Sequence, residues 1–421
     1  MEIPTSYEES QSVNPTLGIT LGEMYLDPMR LKLELEASIL SPYVVAHITY
    51  LSDGGIGDLP FVVGSEGQIV LSGNIGYTEL YLIPVVVTGI EVEESSTPRT
   101  VAGDIKITVV SNWAYHERGS ESKAYINVED PSEVLEGELE AAGVLAQLNI
   151  FERPRSYDKP QTFYRTEGPM HTLETRVLPW TQSESGGAYF WYQRLDGFID
   201  VQSAASMLNQ PLAASLRPSM YSYPYEDRGE LTAYAYDSRM YETNPTRTDL
   251  YNVRCQYFNY EVGSIEEVID ASPVGRTGVA LQRRRDSGKD DLEIWYIGNR
   301  SAQQREAHAA YMKRRHLFHQ VHVIDIATDL EAATVCPPGS RVYLYDFTLT
   351  VSEAEDEDLM AEETYVESNM SGEYIVVSSK YICSAGGDAY ERDIRVQLEL
   401  GKLAYDTADL VDMSTNDLVE V

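Results

Sequence analysis

Strict alternation of apolar and polar residues at the start of the segment Leu31–Asp53 constrains the fold more than any other feature of the sequence. The alternating residues are Leu31, Lys32, Leu33, Glu34, Leu35 and Glu36. This period of two is typical of a strand with one buried face. Ser41-Pro42 ends the run, a second strand is predicted over Tyr43–Leu51, and turn residues follow over Ser52–Gly55. The chain therefore begins as sheet, not as a nucleotide-binding strand–helix–strand unit.

Similar patterns predict strands along much of the remaining chain. These strands cover Phe61–Gly73, Glu79–Glu94, Asp104–Tyr115, Ala188–Val201, Leu231–Asp237, Asn252–Val262, His319–Ala327, Arg341–Val351, Ser371–Cys383 and Arg392–Leu403. A turn at Leu195–Gly197 makes Ala188–Val201 a hairpin. Pro84 makes Glu79–Glu94 an edge strand or a bent strand. Residues up to about 125 are thus expected to form one compact β domain.

Three helices are predicted among these strands. The first begins after a shift in composition at Asp130-Pro131, with Ser132 as its N-cap, and continues for a few turns. A short helix is predicted over Ser203–Asn209. The third covers Arg300–Leu317, which is rich in alanine, begins with Ser301 as its cap and is basic at its C-terminal end, as the helix dipole favours.

Acidic residues outnumber basic residues by 67 to 32, which gives a formal net charge of −35. Affinity for phosphate backbones comes from Lys and Arg, so a chain with this balance is expected to repel nucleic acid. Two interpretations remain: the charge keeps the protein in solution, or part of it lines a passage that DNA crosses without sticking. Tyrosine is also common, with 30 Tyr against 8 Phe. Tyrosine suits contacts between subunits, and it equally suits half-exposed strands.

The length of 421 residues allows about two to four domains. The sequence contains no apolar run of the ~18 residues that a membrane helix needs, and its acidic N-terminus is not that of a secretory signal, so the protein is expected to be cytosolic when made. Cys255, Cys336 and Cys383 are odd in number and form no CxxC pair. They are predicted to be reduced, buried thiols rather than a disulfide framework or a zinc site.

No pattern in the sequence supports an active site. His316, His319 and His322 have a spacing that groups side chains on a helix, but the segment changes to strand near His319, which would then point away from the other two. Gly288-Lys289 lacks the upstream glycine of a phosphate-binding loop, and Asp follows it. The motifs GxSxG and HExxH are absent. No catalytic, cofactor-binding or metal-binding residue is assigned, and no cofactor is expected.

Two charged runs are interpreted as solvated loops. Gln282–Lys289 is among the most basic parts of the chain, and the acidic surroundings argue against a nucleic-acid site there. Ser352–Glu363 carries seven carboxylates in twelve residues and repels itself. The acidic tail after Leu403 is expected to be poorly ordered. Carboxylate pairs are so frequent in this chain that pairing alone does not indicate glycoside hydrolysis.

Three pieces of the chain, taken in order, carry a resemblance to one family. The first piece is Glu36–Leu71, in which Ser41-Pro42, Asp53-Gly54, Pro60 and Gly64 fill the turn positions between successive strands. The second and third pieces follow much later in the chain.

The second piece is Tyr189–Leu208, with an aromatic strand, an Asp-Gly turn and a serine-containing step into a helix. The third is Ser371–Cys383, which begins Ser-Gly-Glu-Tyr-Ile-Val. Ile199-Asp200 departs from the expected basic and aromatic residues, and Tyr381 replaces the usual histidine. Over about residues 30–405 these pieces resemble the central baseplate hub (tail hub) proteins of contractile-tailed bacteriophages, whose fold is shared with the N-terminal part of type VI secretion spike proteins.

The resemblance implies a mainly β fold with minor α content, in which two similar β-barrel-like tube domains are joined by a small α/β segment and irregular peripheral segments. The domains expected from it are a first β tube domain over 1–125, a small α/β segment over 126–215, an irregular peripheral segment over 216–300, and a second β tube domain with the acidic loop and tail over 301–421. The sequence carries no repetitive β-prism or lysozyme-like segment, so a separate hub polypeptide is expected.

The resemblance also implies a structural function and no enzymatic activity. Three copies would form a ring with pseudo-sixfold symmetry that joins a hexameric tail tube to a trimeric central spike and forms part of the DNA channel. The expected partners are further copies of the chain, the tail tube protein, the central spike protein and the baseplate wedge or other baseplate proteins. DNA would pass through the lumen without specific binding, and no membrane is involved. The expected location is the tail baseplate of the virion, and the host cytoplasm during assembly.

Two strand segments, Leu31–Leu51 and Arg341–Val351, are expected to help line this ring. The intersubunit interfaces would bury ~2,000 Å² or more, as in permanent complexes. Two other functions remain open at the level of the sequence: a virion-associated glycan or peptidoglycan hydrolase, and a carbohydrate-binding module.

Overall fold

Strands make up most of the secondary structure in the computed structural model, which describes residues 17–52, 59–72, 80–93, 103–115, 121–218, 230–237, 254–259, 263–268, 293–297, 301–314, 322–328, 335–345, 347–351, 363–367, 371–385 and 392–402. The strands of the first half are β1 (Leu17–Leu21), β2 (Met24–Leu26), β3 (Leu31–Ser38), β4 (Val45–Ser52), β5 (Glu66–Ser72), β6 (Leu80–Glu93), β7 (Gly103–Ser111), β8 (Lys123–Val128), β9 (Leu148–Ile150), β10 (Gln161–Arg165), β11 (Tyr189–Gln193) and β12 (Ile199–Ser203).

The strands of the second half are β13 (Leu212–Pro218), β14 (Glu230–Asp237), β15 (Arg254–Asn259), β16 (Ser264–Val268), β17 (Glu293–Ile297), β18 (His322–Thr328), β19 (Arg341–Leu344), β20 (Phe347–Val351), β21 (Glu363–Glu367), β22 (Gly372–Ala385) and β23 (Arg392–Lys402). The helices are α1 (Asn112–Tyr115), α2 (Pro131–Ala141), α3 (Pro169–Thr172), α4 (Ala204–Asn209) and α5 (Ala302–Arg314). The predicted mainly β fold with minor α content is therefore confirmed.

Thirteen strands form one sheet in the order β19-β13-β14-β18-β23-β22-β3-β4-β7-β6-β5-β1-β2. Since β22 also pairs with β19, the hydrogen-bonded pairings form a circuit through β13, β14, β18, β23, β22 and β19. The strand β13 runs parallel to β14 and β19, and the other pairs of the circuit are antiparallel. Each strand of the circuit thus has a hydrogen-bonded partner on both sides over part of its length.

The two parts of the large sheet meet on β22. Its first residues, Gly372–Ile375, pair with β19, and Ser378–Ser384 pair with β3. The opposite side of β22 pairs with β23 over most of its length, with a register shift between Val376 and Ser378. The strand β3, expected in the first tube domain, is therefore hydrogen-bonded directly to β22, which was expected in the second.

The alternation of β3 is explained by its position between β22 and β4. The side chains of Leu33, Leu35 and Ala37 are fully buried and belong to the largest core cluster of the molecule. Tyr381 and Cys383 of β22 belong to the same cluster. The polar residues between them face the other way, so one face of this part of the sheet is core and the other is in contact with solvent.

The hairpin of β11 and β12 is buried on both of its faces, and a glycine with φ of 87° at Gly197 allows its turn. Tyr189 and Trp191 pack in a core cluster with α2 and neighbouring elements. Phe190 and Tyr192 pack in a different cluster, which includes residues of β22. The predicted hairpin is confirmed, and it is the layer between the large sheet and the small α/β part of the chain.

Two predicted strands have different ends in the structure. The strand predicted over Asp104–Tyr115 ends at Ser111, and α1 follows with Trp113 buried. The strand predicted over Arg341–Val351 is two strands: β19 in the large sheet, and β20, which pairs with β21 in a separate sheet. An alternating pattern continues through both breaks, because it reports which side is buried and not which strand is the partner.

Pro84 lies in β6, which has a partner strand on each side over different parts of its length, so of the two predicted alternatives the bent strand fits better than the edge strand. The first part of β6 pairs with β5 over Leu80–Val86, and the second part pairs with β7 over Val85–Glu93. Pro84 lies opposite Gln68 of β5, before the part that pairs with β7. At Pro84, β6 has no partner on the side of β7, so a residue without a backbone N–H is tolerated there. A register shift between Val87 and Gly89 follows, and such bulges bend a strand, as predicted.

The first residue of α2 is Pro131, and its N-cap is Asp130 rather than the predicted Ser132. The carboxylate of Asp130 accepts a hydrogen bond of 2.9 Å from the backbone N–H of Ser132. Proline suits this first position because its absent N–H would have no partner there. The prediction of Ser301 as the cap of α5 is confirmed, since its hydroxyl accepts a hydrogen bond from Gln304 N–H. The described part of the predicted helix ends at Arg314.

Two of the cysteines are confirmed as buried residues that form no disulfide. Cys336 and Cys383 are both buried without a disulfide, and burial raises the pKa of Cys336 to about 12. The side chain of Cys255, in β15, lies outside the described residues. Among the helices that the structure describes, none has the length and apolar character needed to cross a membrane.

Candidate functional site

The solvent-facing side of β22, β3, β4 and β7 is a charged surface, here called the seam face because it covers the junction of β3 with β22. Its charged and polar residues include Lys380, Lys32, Glu34, Glu36, His47, Thr49, Lys106 and Thr108, and the partly buried Val45, Val110 and Ile382 lie among them. These residues alternate with the buried residues of the same strands, so the period of two that forms the core also places every one of them on the outer face.

Glu34 is at the centre of the seam face and is held by two lysines. Lys32 Nζ lies 2.6 Å from Glu34 Oε1, and Lys380 Nζ lies 2.5 Å from Glu34 Oε2. Each oxygen of the carboxylate therefore has its own ammonium group. The hydrogen bonds from Lys32 and Lys380 lower the pKa of Glu34 to about 2. Lys32 belongs to β3, like Glu34, and Lys380 belongs to β22, so the ion pair with Lys380 crosses the junction of the two strands.

The remainder of the seam face continues this mixture of charges across β4 and β7. His47 lies opposite Glu34 in register and opposite Thr108 on its other side, and His47 Nδ1 is 3.3 Å from Thr108 Oγ1. Lys106 lies directly opposite Glu91 of β6. Each described lysine of this face thus has a carboxylate beside or opposite it, and the face carries both signs of charge rather than a uniform acidic surface.

The strands β4 and β7 are attached to the buried hairpin through Gln193, at the end of β11. The amide oxygen of Gln193 accepts hydrogen bonds from Trp113 Nε1 at 3.0 Å and from Ser111 Oγ at 2.5 Å. The backbone N–H of Val44, just before β4, also donates to it at 3.4 Å. All four residues are buried. This network fixes the ends of β4 and β7 to the α/β part of the chain.

Two further buried charged groups lie in the α/β part and are paired. Glu138 of α2 is fully buried, and its Oε2 is 3.4 Å from Nη1 of Arg165 on β10. Asp200 of β12 is buried, and desolvation raises its pKa although a hydrogen bond from Asn149 and the charge of Arg194 oppose that shift. Both carboxylates contact groups that hold them in place, which is an arrangement suited to structure.

The structure describes only some of the residues that the sequence analysis considered as candidates for a site. His316, His319, Gly288, Lys289 and the run Gln282–Lys289 lie outside the described residues, as do residues 352–362 of the acidic run and the tail after Lys402. His322 is the first residue of β18. Within the described ranges, no group of three or more His, Cys, Asp or Glu residues is placed to hold a metal ion.

The association of Glu34 with Lys380 is the feature that the sequence did not reveal. Lys32 and Glu34 are recognisable as neighbours on one face of a predicted strand, since they are two residues apart. Lys380 belongs to a strand near the other end of the chain, and its pairing with β3 depends on tertiary structure. The sequence contains both strands and their polar faces but no signal for their adjacency.

Comparisons with known proteins show which solved structures have a similar fold. No family model matches the chain, and no curated protein sequence matches it. The tail protein from Neisseria meningitidis MC58 is similar in structure, with a TM-score of 0.52 and 9% identity over 92% of this chain and 96% of that one. The 43 kDa tail protein of prophage MuSo2 from Shewanella oneidensis gives a TM-score of 0.50 and 11% identity over 92% and 98% of the two chains.

A component of the type VI secretion system of E. coli gives a lower TM-score of 0.43, with 10% identity over 92% of this chain and 77% of that one. The two higher scores extend over nearly the whole length of both tail proteins. The chain therefore has the fold of phage tail proteins. The resemblance of the sequence to phage tail proteins is thus confirmed at the level of the fold.

Proposed function

We propose that this protein is a structural subunit of a phage-type tail, acting as a homotrimeric baseplate hub between a hexameric tail tube and a trimeric central spike. The observation that carries the proposal is structural similarity to two tail proteins over 92% of this chain. The fold supplies large hydrogen-bonded sheets and buried charges that are paired, which suits a load-bearing part. The proposed function is therefore mechanical, and no catalytic step is assigned.

The division into two tube domains is part of the same proposal. The circuit of β13, β14, β18, β23, β22 and β19 would be the framework of the second tube domain, and the antiparallel strands β1–β7 would form the first. With β13 and β14 included, the second domain would take in strands from before residue 301, the bound expected from the sequence. The pairing of β3 with β22 joins these two parts through seven register pairs, from Ser38 with Ser378 to Lys32 with Ser384. Two such parts in each of three copies would give the six similar elements that a sixfold tube requires.

The seam face is proposed to point toward the lumen of the ring. The strands β3 and β4 supply the first of the two lining segments expected from the sequence, and β19 alone replaces the longer Arg341–Val351 segment. DNA would slide past this face because its lysines lie beside or opposite carboxylates and because the chain as a whole carries a net charge of −35. The partners would be the tube, the spike and other baseplate proteins, and the location would be the tail of a virion.

Cryo-electron microscopy of the purified chain, alone and mixed with tail tube protein, tests this proposal. We expect a threefold ring with a pseudo-sixfold face, an open channel and β3 on the channel wall. A compact monomer that does not respond to the tube protein would contradict the hub function. A ring with the seam face on its outer surface would support the assembly and contradict only the lumen assignment.

A functional test uses charge reversal on the polar face of β3. Glu34→Lys and Glu36→Lys would add positive charge to the channel wall, and we expect slower or incomplete DNA ejection from assembled particles. The matched control is Glu133→Lys, on an exposed position of α2 in the α/β part. Unchanged ejection in the β3 variants, with tails assembled normally, would argue against a channel wall formed by this strand.

A further inference from the structure

The arrangement of Lys32, Glu34 and Lys380 is more specific than surface charge alone requires. Two ammonium groups from different strands contact the two oxygens of one carboxylate, at 2.6 and 2.5 Å. Lys32 and Lys380 remain partly exposed, with 51% and 31% of their side-chain surface accessible, so both are within reach of a ligand in solvent. Glu36 completes the group, because it lies directly opposite Lys380 in register. These four side chains have no net charge.

Stability alone does not account for the triad formed by Lys32, Glu34 and Lys380. Partly exposed ion pairs contribute little to the free energy of unfolding. The junction of β3 with β22 is already held by a continuous antiparallel ladder and by the buried side chains of Leu33, Leu35 and Tyr381 beneath it. The triad therefore determines mainly which charges the seam face presents.

We propose that Glu34 masks Lys32 and Lys380 from phosphate groups, so that DNA can move along the seam face without being held by it. This inference rests on the proposed function, which brings DNA to this face. A lysine ammonium group is a compact charge that binds a phosphate by releasing counterions. An ammonium group already in contact with a carboxylate gains less from a phosphate, because it must give up or share that contact. Two lysines can thus be present on the face without acting as a DNA-binding site.

The pair of variants Glu34→Gln and Glu36→Gln separates masking from net charge. Each removes one negative charge from the same face of the same strand, but only Glu34→Gln removes the carboxylate that contacts both ammonium groups. The measurement is fluorescence anisotropy of a short labelled double-stranded DNA with the full-length chain, repeated over a range of salt concentrations. Denaturant unfolding of each variant verifies that the fold is retained.

We expect Glu34→Gln to bind the DNA more tightly than wild type or Glu36→Gln. Two added phosphate contacts would increase the salt dependence, so that the added affinity falls about tenfold between about 50 and 200 mM salt. The triple variant Glu34→Gln, Lys32→Gln, Lys380→Gln should return to the weak binding of wild type. Equal binding by Glu34→Gln and Glu36→Gln, or tight binding that persists in the triple variant, would overturn the masking function.

The same variants in the cryo-electron microscopy experiment distinguish this inference from the proposed function. A threefold ring with the seam face in its channel, combined with equal DNA binding by the two single variants, would overturn the masking function and leave the hub intact. Tight, salt-sensitive binding by Glu34→Gln in a protein that forms no ring would support masking as a property of the face and contradict the hub.

Discussion

Gly339 lies directly against the phenol hydroxyl of Tyr192, so closely that a Cβ atom on Gly339 would overlap it. The same Cβ would also overlap Gln202 Nε2, which donates a hydrogen bond to Tyr192 Oη. Gly339 has a φ of 83°, and its N–H donates a hydrogen bond of 2.8 Å to Val376 O of β22. The turn before β19 is thus locked between β22 and the buried hairpin, and it requires a residue without a side chain.

Gly339→Ala should lower the free energy of unfolding by about 2–4 kcal/mol, since it combines backbone strain with overpacking. The matched control is Gly197→Ala, at a φ of 87° with no atom within 4 Å of the added Cβ, where backbone strain alone costs about 1–2 kcal/mol. Urea unfolding followed by circular dichroism gives both values. Equal losses in the two variants would show that the contact with Tyr192 does not constrain the turn.

Replacement of Gln193 by Met should also destabilise the protein, because it removes the acceptor shared by Ser111, Trp113 and Val44. The N–H of Val44 also donates to Ser111 Oγ at 3.1 Å, and the Ser111 hydroxyl can donate to Val44 O, so Trp113 Nε1 is the donor that loses its partner. A buried donor left without a partner costs about 1–3 kcal/mol, and a loss of about that size is expected. Gln147→Met, at an exposed position, should change the free energy of unfolding by less than about 0.5 kcal/mol.

A double-mutant cycle with Trp113→Phe tests whether the loss at Gln193 comes from this network. Once Trp113 no longer donates, the cost of Gln193→Met should be smaller than in the wild-type background, because the two groups are directly coupled. Fully additive losses would mean that Gln193 acts through packing and not through the hydrogen bond to Trp113 Nε1.

Several strands of the large sheet, such as β3 and β4, were predicted from the sequence because the alternation of their residues reflects which face is buried. The residues Leu31–Ser38 show this directly: every second side chain is buried, as the alternation indicates. The hairpin of β11 and β12 was found through its Asp-Gly turn, although both of its faces are buried and it shows no alternation of polar and apolar residues.

Strand partners and strand ends were not predictable in the same way, since they depend on contacts far along the chain. The residues of Arg341–Val351 do not themselves indicate that the strand in the large sheet ends at Leu344 and that a second strand begins at Phe347. Short strands such as β1 and β9 were missed because three to five residues carry too little pattern. The triad at Glu34 was not predicted because it depends on a strand partner far along the chain: Lys380 lies beside Glu34 only through the pairing of β3 with β22.

The buried ion pair of Glu138 with Arg165 gives a third prediction. Glu138→Leu leaves the Arg165 guanidinium buried opposite an apolar side chain, and we expect a loss of about 3–5 kcal/mol in the free energy of unfolding. Adding Arg165→Met should recover much of that loss, because the uncompensated charge is then removed. An exposed pair is the control: Glu373→Gln, which breaks the ion pair with Arg341, should cost less than about 1 kcal/mol. A double variant that is less stable than Glu138→Leu would contradict this account.

The depressed pKa of Glu34 leads to a pH-dependent prediction whose sign is fixed by linkage. Its pKa falls from the ordinary value of 4.5 to about 2 in the folded chain. A carboxylate with a lowered folded pKa contributes stability that is fully present above pH 4.5 and is lost as the pH falls toward 2. Because the triad is partly exposed, that contribution is expected to be less than about 1 kcal/mol.

Glu34→Gln should therefore unfold at slightly lower urea concentration than wild type at pH 7, and the difference should shrink as the pH falls below 4.5. The lysines cause the shift, so the control is the same substitution in a chain that carries Lys32→Met and Lys380→Met. In that background Glu34→Gln should have a smaller effect at pH 7, and the effect should vary less with pH. A difference between wild type and Glu34→Gln that stays constant from pH 7 into the acid range would show that the two lysines do not stabilise the ionised carboxylate.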